Sequence, residues 1–590
     1  QTRATDFVAR PDGLFHRFDA AVDWQVFALN DGVLDLVAEV PAASVRVDGY
    51  TRVGDLTVES IEQARTYVFA RADRTLSPFA RVGEDGVRSG RLADTGAGRV
   101  VQLRYPLPGV PFDTVDDYGF GPSSWENQYG AHRAFHPVRR DSGPGVVWQD
   151  VETNQVRVTW LSDADPAAVT HVALPTLDGA RLAAAHAEAD GGVTCLHIQR
   201  GDGRPNATRA VTLVKANAQG AETRRAALDA GPDAMNIVEF GDRDHATMTR
   251  SGDRLGIVVT RTMHRAPDGL NHQGGLALLV DADTLAVTGP MHWPGHPESP
   301  VGAIQTSSHA FANVLAPNGD GGFLGADLGD AAPRGVNLYR LTDAEMVTRV
   351  AFTFKTRHGT TPSAYPGGPT YPVYAEISSP GQTFYQWSND NTTYTELGGV
   401  AKTDDGVVVL FSTERSLLDN SRLGALWNET RDLAMVRVRS DFARAAPGRD
   451  AVVTDDLVLS QGAPAVESKY YFFTGTEQPQ RVAGVVFLTQ LAADQSASRP
   501  HLHARGDGLL AVYEVWRTTR TPGMDGQPDT FADAYLDTRA VRLTTEGLPV
   551  MGSDSSLGAA VRLQNRDDPF TLAGGTALVA GDGEGRALVV

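Results

Sequence analysis

Five times along this chain a single histidine or glutamate is followed, seven to ten residues later, by a glycine and then an apolar run. His136 leads to Gly145 and Val146, Val147 and Trp148, and His245 leads to Gly252 and residues 255–259. His309 leads to Gly319 and then Phe323 and Leu324. Glu396 leads to Gly406 and residues 407–411, and His501 to Gly508 and residues 509–513. Each unit reads as a strand, a tight turn and a second, buried strand. Repetition at such intervals constrains the fold more than any single motif does, because one hairpin cannot bury its apolar faces alone. Units of this kind must stack on one another.

The spacing predicts four strands per unit. In residues 241–300 they lie at 245–250, 255–261, 274–281 and 285–289, joined at Gly252 and Asp253 and at Pro267, Asp268 and Gly269. The next unit repeats the plan over 308–355, another runs over 394–459, and a further one begins near His501. Two more precede them, at 136–174 and 182–227, and a partial unit closes the chain at 571–590. The expected fold is all-β: a seven-bladed β-propeller of four-stranded antiparallel blades, with six or eight blades compatible with the same count. Residues 1–129 read as an N-terminal β-rich segment with closing strands and a face loop, and residues 130–590 as the propeller. Completing the partial last unit with N-terminal strands would close the ring and remove an exposed sheet edge.

Composition narrows the class of partner. The formal net charge is -19, from 72 acidic and 53 basic residues, and only Lys215, Lys355, Lys402 and Lys469 are lysines. Such a surface argues against nucleic acid, whose phosphates need a basic face. No apolar stretch approaches the roughly 20 residues of a membrane helix. The chain starts at Gln1, which predicts a processed, secreted or cell-surface protein. Cys195 is the single cysteine, so no disulfide forms within the chain, and its apolar neighbours predict a buried thiol.

If the repeat register holds, His136, His245, His309, Glu396 and His501 begin the innermost strands of five blades. Imidazoles and a carboxylate converging on an axis are the donor set of a transition-metal site. They also suit proton transfer, or bonding between blades. A second concentration of histidines includes His264, His272, His292 and His296, with Arg261 at its start. Arg261 and Arg334 suit an anionic group, and His245, His264, His309 and Tyr394 suit acid–base chemistry. Trp125, Trp387 and His272 suit ligand contact. Asp327 and Asp330, with Asn318 and Asp320, offer either a structural turn or a Ca²⁺ site. No nucleotide-binding loop, serine-hydrolase elbow or zinc-protease motif is present in the sequence.

In architecture, over about residues 130–590, the chain resembles β-propeller proteins. Propeller enzymes with axial histidines include some polysaccharide lyases and the non-haem-iron carotenoid oxygenases, so the resemblance implies a His-lined site. The expected function is an exported enzyme acting on an anionic extracellular polysaccharide, as a lyase or hydrolase. The alternatives are a non-catalytic binding or structural propeller and a His-ligated metal oxidoreductase. The expected ligands are a carbohydrate or another small or polymeric molecule, with a divalent metal as the only cofactor the residues suggest.

Overall fold

The computed structural model describes side chains for residues 107–111, 134–162, 169–198, 211–228, 246–260, 274–289, 312–319, 321–329, 336–348, 395–404, 406–413, 430–438, 486–504, 508–519, 532–550 and 552–557, with a few single positions between them, and further strands by their backbone. Six antiparallel blades follow one another along the chain. The first is Phe135–Arg140, Gly143–Gln149, Val156–Leu161 and Val169–Ala173, and the second is Ala180–Ala187, Val193–Gln199, Val211–Ala216 and Glu222–Ala227. The third is Ala246–Ser251, Arg254–Arg265, Asn271–Asp281 and Val287–Gly289, and the fourth is Asn313–Pro317, Phe323–Gly329, Gly335–Leu341 and Met346–Thr353. The fifth is Glu396–Lys402, Val407–Glu414, Arg431–Val438 and Val486–Phe487, and the sixth is Gln495–Arg505, Gly508–Thr521, Thr530–Leu543 and Ser555–Ser556. The first strand of each blade adjoins the first strand of the next, which is the arrangement of a propeller around its axis.

The burial pattern explains why the central strands read as continuous apolar runs. Gly143–Gln149, Phe323–Gly329 and Arg431–Val438 are buried at every position, because both faces of a blade are covered by neighbouring blades. The outer strands Val169–Ala173 and Glu222–Ala227 are largely exposed, and Glu222–Ala227 is correspondingly rich in charge. Each seam has its own apolar core. Val138, Val147, Val158 and Trp160 meet Leu182, Ala185 and Cys195 between the first two blades, and Leu196, Leu213, Met248 and Ile257 fill the second seam. Each fully buried side chain of this kind contributes about 1.5–3 kcal/mol. Cys195 is buried here as expected, and burial pushes its thiol up to about 12, which keeps it protonated and unreactive.

The blade count among the described residues is six, within the range the repeat count allowed, with the partial last unit not adding a seventh. The last residues do not form one four-stranded sheet: they make a hairpin, Phe570–Leu572 with Gly575–Ala577, and the paired strands Ala580–Gly581 and Ala587–Val589. The outer strand of the fifth blade, expected at 452–459, is Val486–Phe487 instead; residues 452–459 lie outside the described residues. The buried Asp432 holds this later segment in place, accepting from Thr489 Oγ1 at 2.8 Å and Leu491 N at 2.9 Å.

An N-terminal strand pairs with the C-terminal end of the chain. Arg104–Pro106 pairs with Ala587–Val589, and the Phe570–Leu572 hairpin strand lies against the first blade. Farther upstream, two four-stranded meanders span Phe7–Ala9 to Val33–Val40 and Val45–Val47 to Thr75–Arg81. The segment 107–111 is clamped to the first blade by Asp150, which accepts from Val110 N at 3.2 Å, Glu152 N at 3.1 Å and Thr153 Oγ1 at 2.6 Å. Burial raises the pKa of this carboxyl, but those hydrogen bonds outweigh it and hold the group below its ordinary value. A Cβ on Gly109 would lie 2.6 Å from Asp150 Oδ2, so the approach needs glycine. Asp150→Ala is expected to cost about 1–3 kcal/mol through the stranded backbone donors, read as a lower urea midpoint.

Candidate functional site on the third blade

All six first strands run the same way. Asp141 N donates to Ala189 O at 2.9 Å where the first strands of blades one and two end. Arg250 reaches Glu188 at the ends of those in blades two and three, and Lys402 donates to Asn318 O at 2.5 Å in blades four and five. The propeller therefore has a leading face, on which the first strands begin, and a trailing face of short hairpins. In the third blade Gly252, with φ +59°, makes one of those tight trailing turns. The second and third strands of each blade also join on the leading face. Loops that a rigid scaffold presents in this way commonly carry binding residues.

The third blade is built out on this face. Its second and third strands run past the level where the first begins, through Arg261 opposite Gly274, a bulge, and His264 opposite His272. Its outer position is filled twice: Val287–Gly289 pairs with residues 279–280, and Ile304–Ser308 returns to pair with 274–277. Between these pieces the chain makes a small hairpin, His292–Trp293 with His296–Pro300. The result is a row in which Arg261, Gly274 and Ser308 lie side by side on three strands. His245 immediately precedes the first strand of this blade, and His309 immediately follows Ser308. The topology thus gathers Arg261, His264 and His272 onto one blade edge.

Beneath this edge is a buried polar floor shared with the fourth blade. Thr306 Oγ1 lies 3.3 Å from both the Gly275 carbonyl and Asn313 Oδ1, and Asn313 Nδ2 donates to Ala310 O at 3.2 Å. Asn313 is the cross-strand partner of Asp327, and Asp327 that of Asn337, whose Nδ2 donates to its carboxylate at 3.0 Å. A Cβ on Gly275 would meet Thr306 Oγ1 at 2.6 Å and Asn313 at 2.9 Å. Buried, mutually bonded polar groups of this kind hold a blade edge in one geometry. Nothing in the sequence marks Thr306, Asn313 or Asn337; only the pairing of three strands brings them together.

His245, His309, Tyr394, Arg334, Trp387 and Trp125 lie outside the described residues, and Arg261, His264 and His272 lie in strands described by their backbone. His136 and His501 are buried on first strands, each the fifth paired residue back from its hairpin, opposite Val147 and Val512. Glu396 is buried at the seam of blades five and six. It accepts from Ser498 Oγ at 2.7 Å and from Arg499 N, and Arg431 Nη1 lies 3.8 Å away. Its level in the ring is therefore that of Ser498 and Arg499, ahead of His501. Among the described residues no three His, Cys, Asp or Glu side chains gather as they would around a metal ion. Asn318 makes the trailing turn of its hairpin, closing onto Gly322, whereas Asp327 pairs with Asn313 at the other end. Those two do not share a Ca²⁺ site.

A charged cluster that the sequence did not suggest adjoins Glu396. Arg499 has a left-handed backbone, φ +49°, at the bulge before Pro500, and it is buried. Its Nη1 lies 3.3 Å from Glu514 Oε2 and 3.0 Å from Leu563 O, and its guanidinium stacks 5.5 Å from the Trp516 ring centre. Glu514 Oε1 accepts from Leu563 N at 2.8 Å, so both backbone polar groups of Leu563 are clasped by one ion pair. The broken strand pattern at Ser498, Arg499 and Pro500 was the one sequence sign of this bulge.

No protein-family model matches the chain, and no curated protein matches it. Among solved structures, it is similar to a Dyadobacter fermentans protein of unknown function at 9% identity, covering 70% of this chain and 95% of that one, with a TM-score of 0.32. A neuraminidase-like protein of subtype N10 from a little yellow-shouldered bat virus gives 10% identity, 69% and 96% coverage, and a TM-score of 0.30. An ulvan lyase bound to a GlcA–Rha3S repeat gives 10% identity, 82% and 89% coverage, and a TM-score of 0.29. The blade architecture rests on the registers and seams described above, not on these likenesses.

Proposed function

We propose that this propeller is an extracellular enzyme that breaks an anionic polysaccharide, by elimination or hydrolysis, at the leading edge of its third blade. The observation that carries the reading is the register of that edge: Arg261, Gly274 and Ser308 in one row, and His264 paired with His272 beyond it. A cross-strand pair of imidazoles offers a base and an acid at neutral pH, where histidine titrates. Arg261 supplies the local cation that an acidic sugar needs against a protein of net charge -19. The Thr306 and Asn313 floor keeps the edge in register.

The test is a screen of acidic polysaccharides, following both unsaturated uronide absorbance and new reducing ends. His264→Ala and His272→Ala are each expected to lower turnover about 100-fold or more, with the urea midpoint unchanged. Arg261→Ala should chiefly raise KM for the charged polymer. Full activity in both histidine variants would overturn the proposal. A second reading, a non-catalytic binding propeller, is favoured by the use of Glu396 as a seam bond and not as an open carboxylate. Saturable polysaccharide binding with no product by either assay would select it. Elemental analysis of the same preparation tests the His-ligated metal alternative.

A further inference from the structure

We infer that the seam between the second and third blades is a pH-sensitive device: in acid, protonation of His186 sets a further positive charge beside Lys215 and Arg250 and parts Ala180–Ala187 from Ala246–Ser251. His186 is the cross-strand partner of Thr194, and Thr194 that of Lys215, so the three form one row across the second blade. Arg250 comes from the first strand of the third blade and bonds Glu188, two residues beyond His186. Lys215 Nζ lies 3.7 Å from the same carboxylate, 3.2 Å from Asp283 and 3.0 Å from Ala282 O, reaching across the seam. Arg224, paired with Lys215 on the outer strand, adds a third cation. The charged groups around the imidazole are thus Lys215, Arg224 and Arg250 against Glu188 and Asp283. The Thr194 hydroxyl, fully buried, has no hydrogen-bond partner among the described residues.

With the imidazole neutral, Glu188 bridges both blades through Arg250 and Lys215. A protonated imidazole in the same row faces two cations already sharing that carboxylate, so opening the seam relieves repulsion. Burial first, then the charges of Arg250 and Lys215, holds His186 down at about 4, against about 6.5 in an opened seam. The opened form therefore takes up its proton first as pH falls, and closure weakens between those two values.

Hydrogen exchange on the full chain, corrected for the intrinsic pH dependence, reads this locally. Between about pH 7 and about pH 4, exchange in Ala180–Ala187 and Ala246–Ser251 is expected to rise about 100-fold more than in Val407–Glu414. His186→Gln should remove most of that excess, Lys215→Met should shrink it by raising the imidazole's pKa, and His197→Leu should leave it intact. An equal rise in all three segments of the wild-type protein overturns the inference. So does an undiminished excess in His186→Gln or, should that variant fail to fold, in Lys215→Met.

Discussion

Glu396→Ala is expected to lower folding stability by about 3–5 kcal/mol. The Glu396 and Arg431 side chains are 1% and 2% exposed. Removing the carboxylate leaves the Arg431 charge in a low-dielectric seam and takes the acceptor from Ser498 Oγ and Arg499 N. Because Arg499 in turn clasps Leu563, the loss should spread to the chain leading into the closing strands. Glu396→Gln, which keeps an acceptor but not the charge, should lose less than Glu396→Ala. The check is the urea midpoint of each variant beside polysaccharide turnover at a temperature where both stay folded. Normal stability with abolished turnover would show that Glu396 serves chemistry, not the seam.

His197→Leu should have the opposite sign. His197 is fully buried in the second strand of the second blade, and neither ring nitrogen has a hydrogen-bond partner among the described residues. Burial, with a smaller contribution from Arg225, pushes its pKa down to about 4. The unfolded chain binds the proton near 6.5, so the folded state loses ground as pH falls from 6.5 towards 4. The full shift amounts to about 3 kcal/mol, absent above the unfolded value and complete below the folded one. Leucine removes both the titration and two unsatisfied buried nitrogens. The variant should therefore gain about 1–3 kcal/mol near pH 7, and more in acid. Urea melts at both pH values measure it; a destabilised variant near pH 7 would mean that the imidazole has a partner worth keeping.

Strand content, turn positions and the order of the blades were legible in the residues because each depends on neighbours in sequence. The third blade shows this well: strands expected at 245–250, 255–261, 274–281 and 285–289 are found at Ala246–Ser251, Arg254–Arg265, Asn271–Asp281 and Val287–Gly289. Apolar runs bounded by Gly252 and Asp253, or by Asp281 and Asp283, carry that information locally. The blade count was less legible, because a partial unit in sequence does not say whether partner strands will complete it.

The site was legible only as residue types. His136, Glu396 and His501 share a place in the repeat, and the repeat suggested a common level. Glu396 lies beyond a bulge between Leu397 and Gly399 and is the sixth paired residue back from its hairpin, where His136 and His501 are the fifth, so Glu396 meets Ser498 and Arg499 ahead of His501. A bulge adds a residue to one strand and not to its partner, and a count along a single strand does not register it. The same holds for the floor of Thr306 and Asn313, which depends on Ile304–Ser308 returning to the edge of a blade it had left. By itself, the sequence determined an all-β repeat, its turns and the apolar central strands, since these follow from hydrophobic period and local backbone preference. Only the tertiary structure decided which polar residues meet, because blade seams join side chains up to about a hundred residues apart, as Ser498 and Glu396 are, and strand register sets their level.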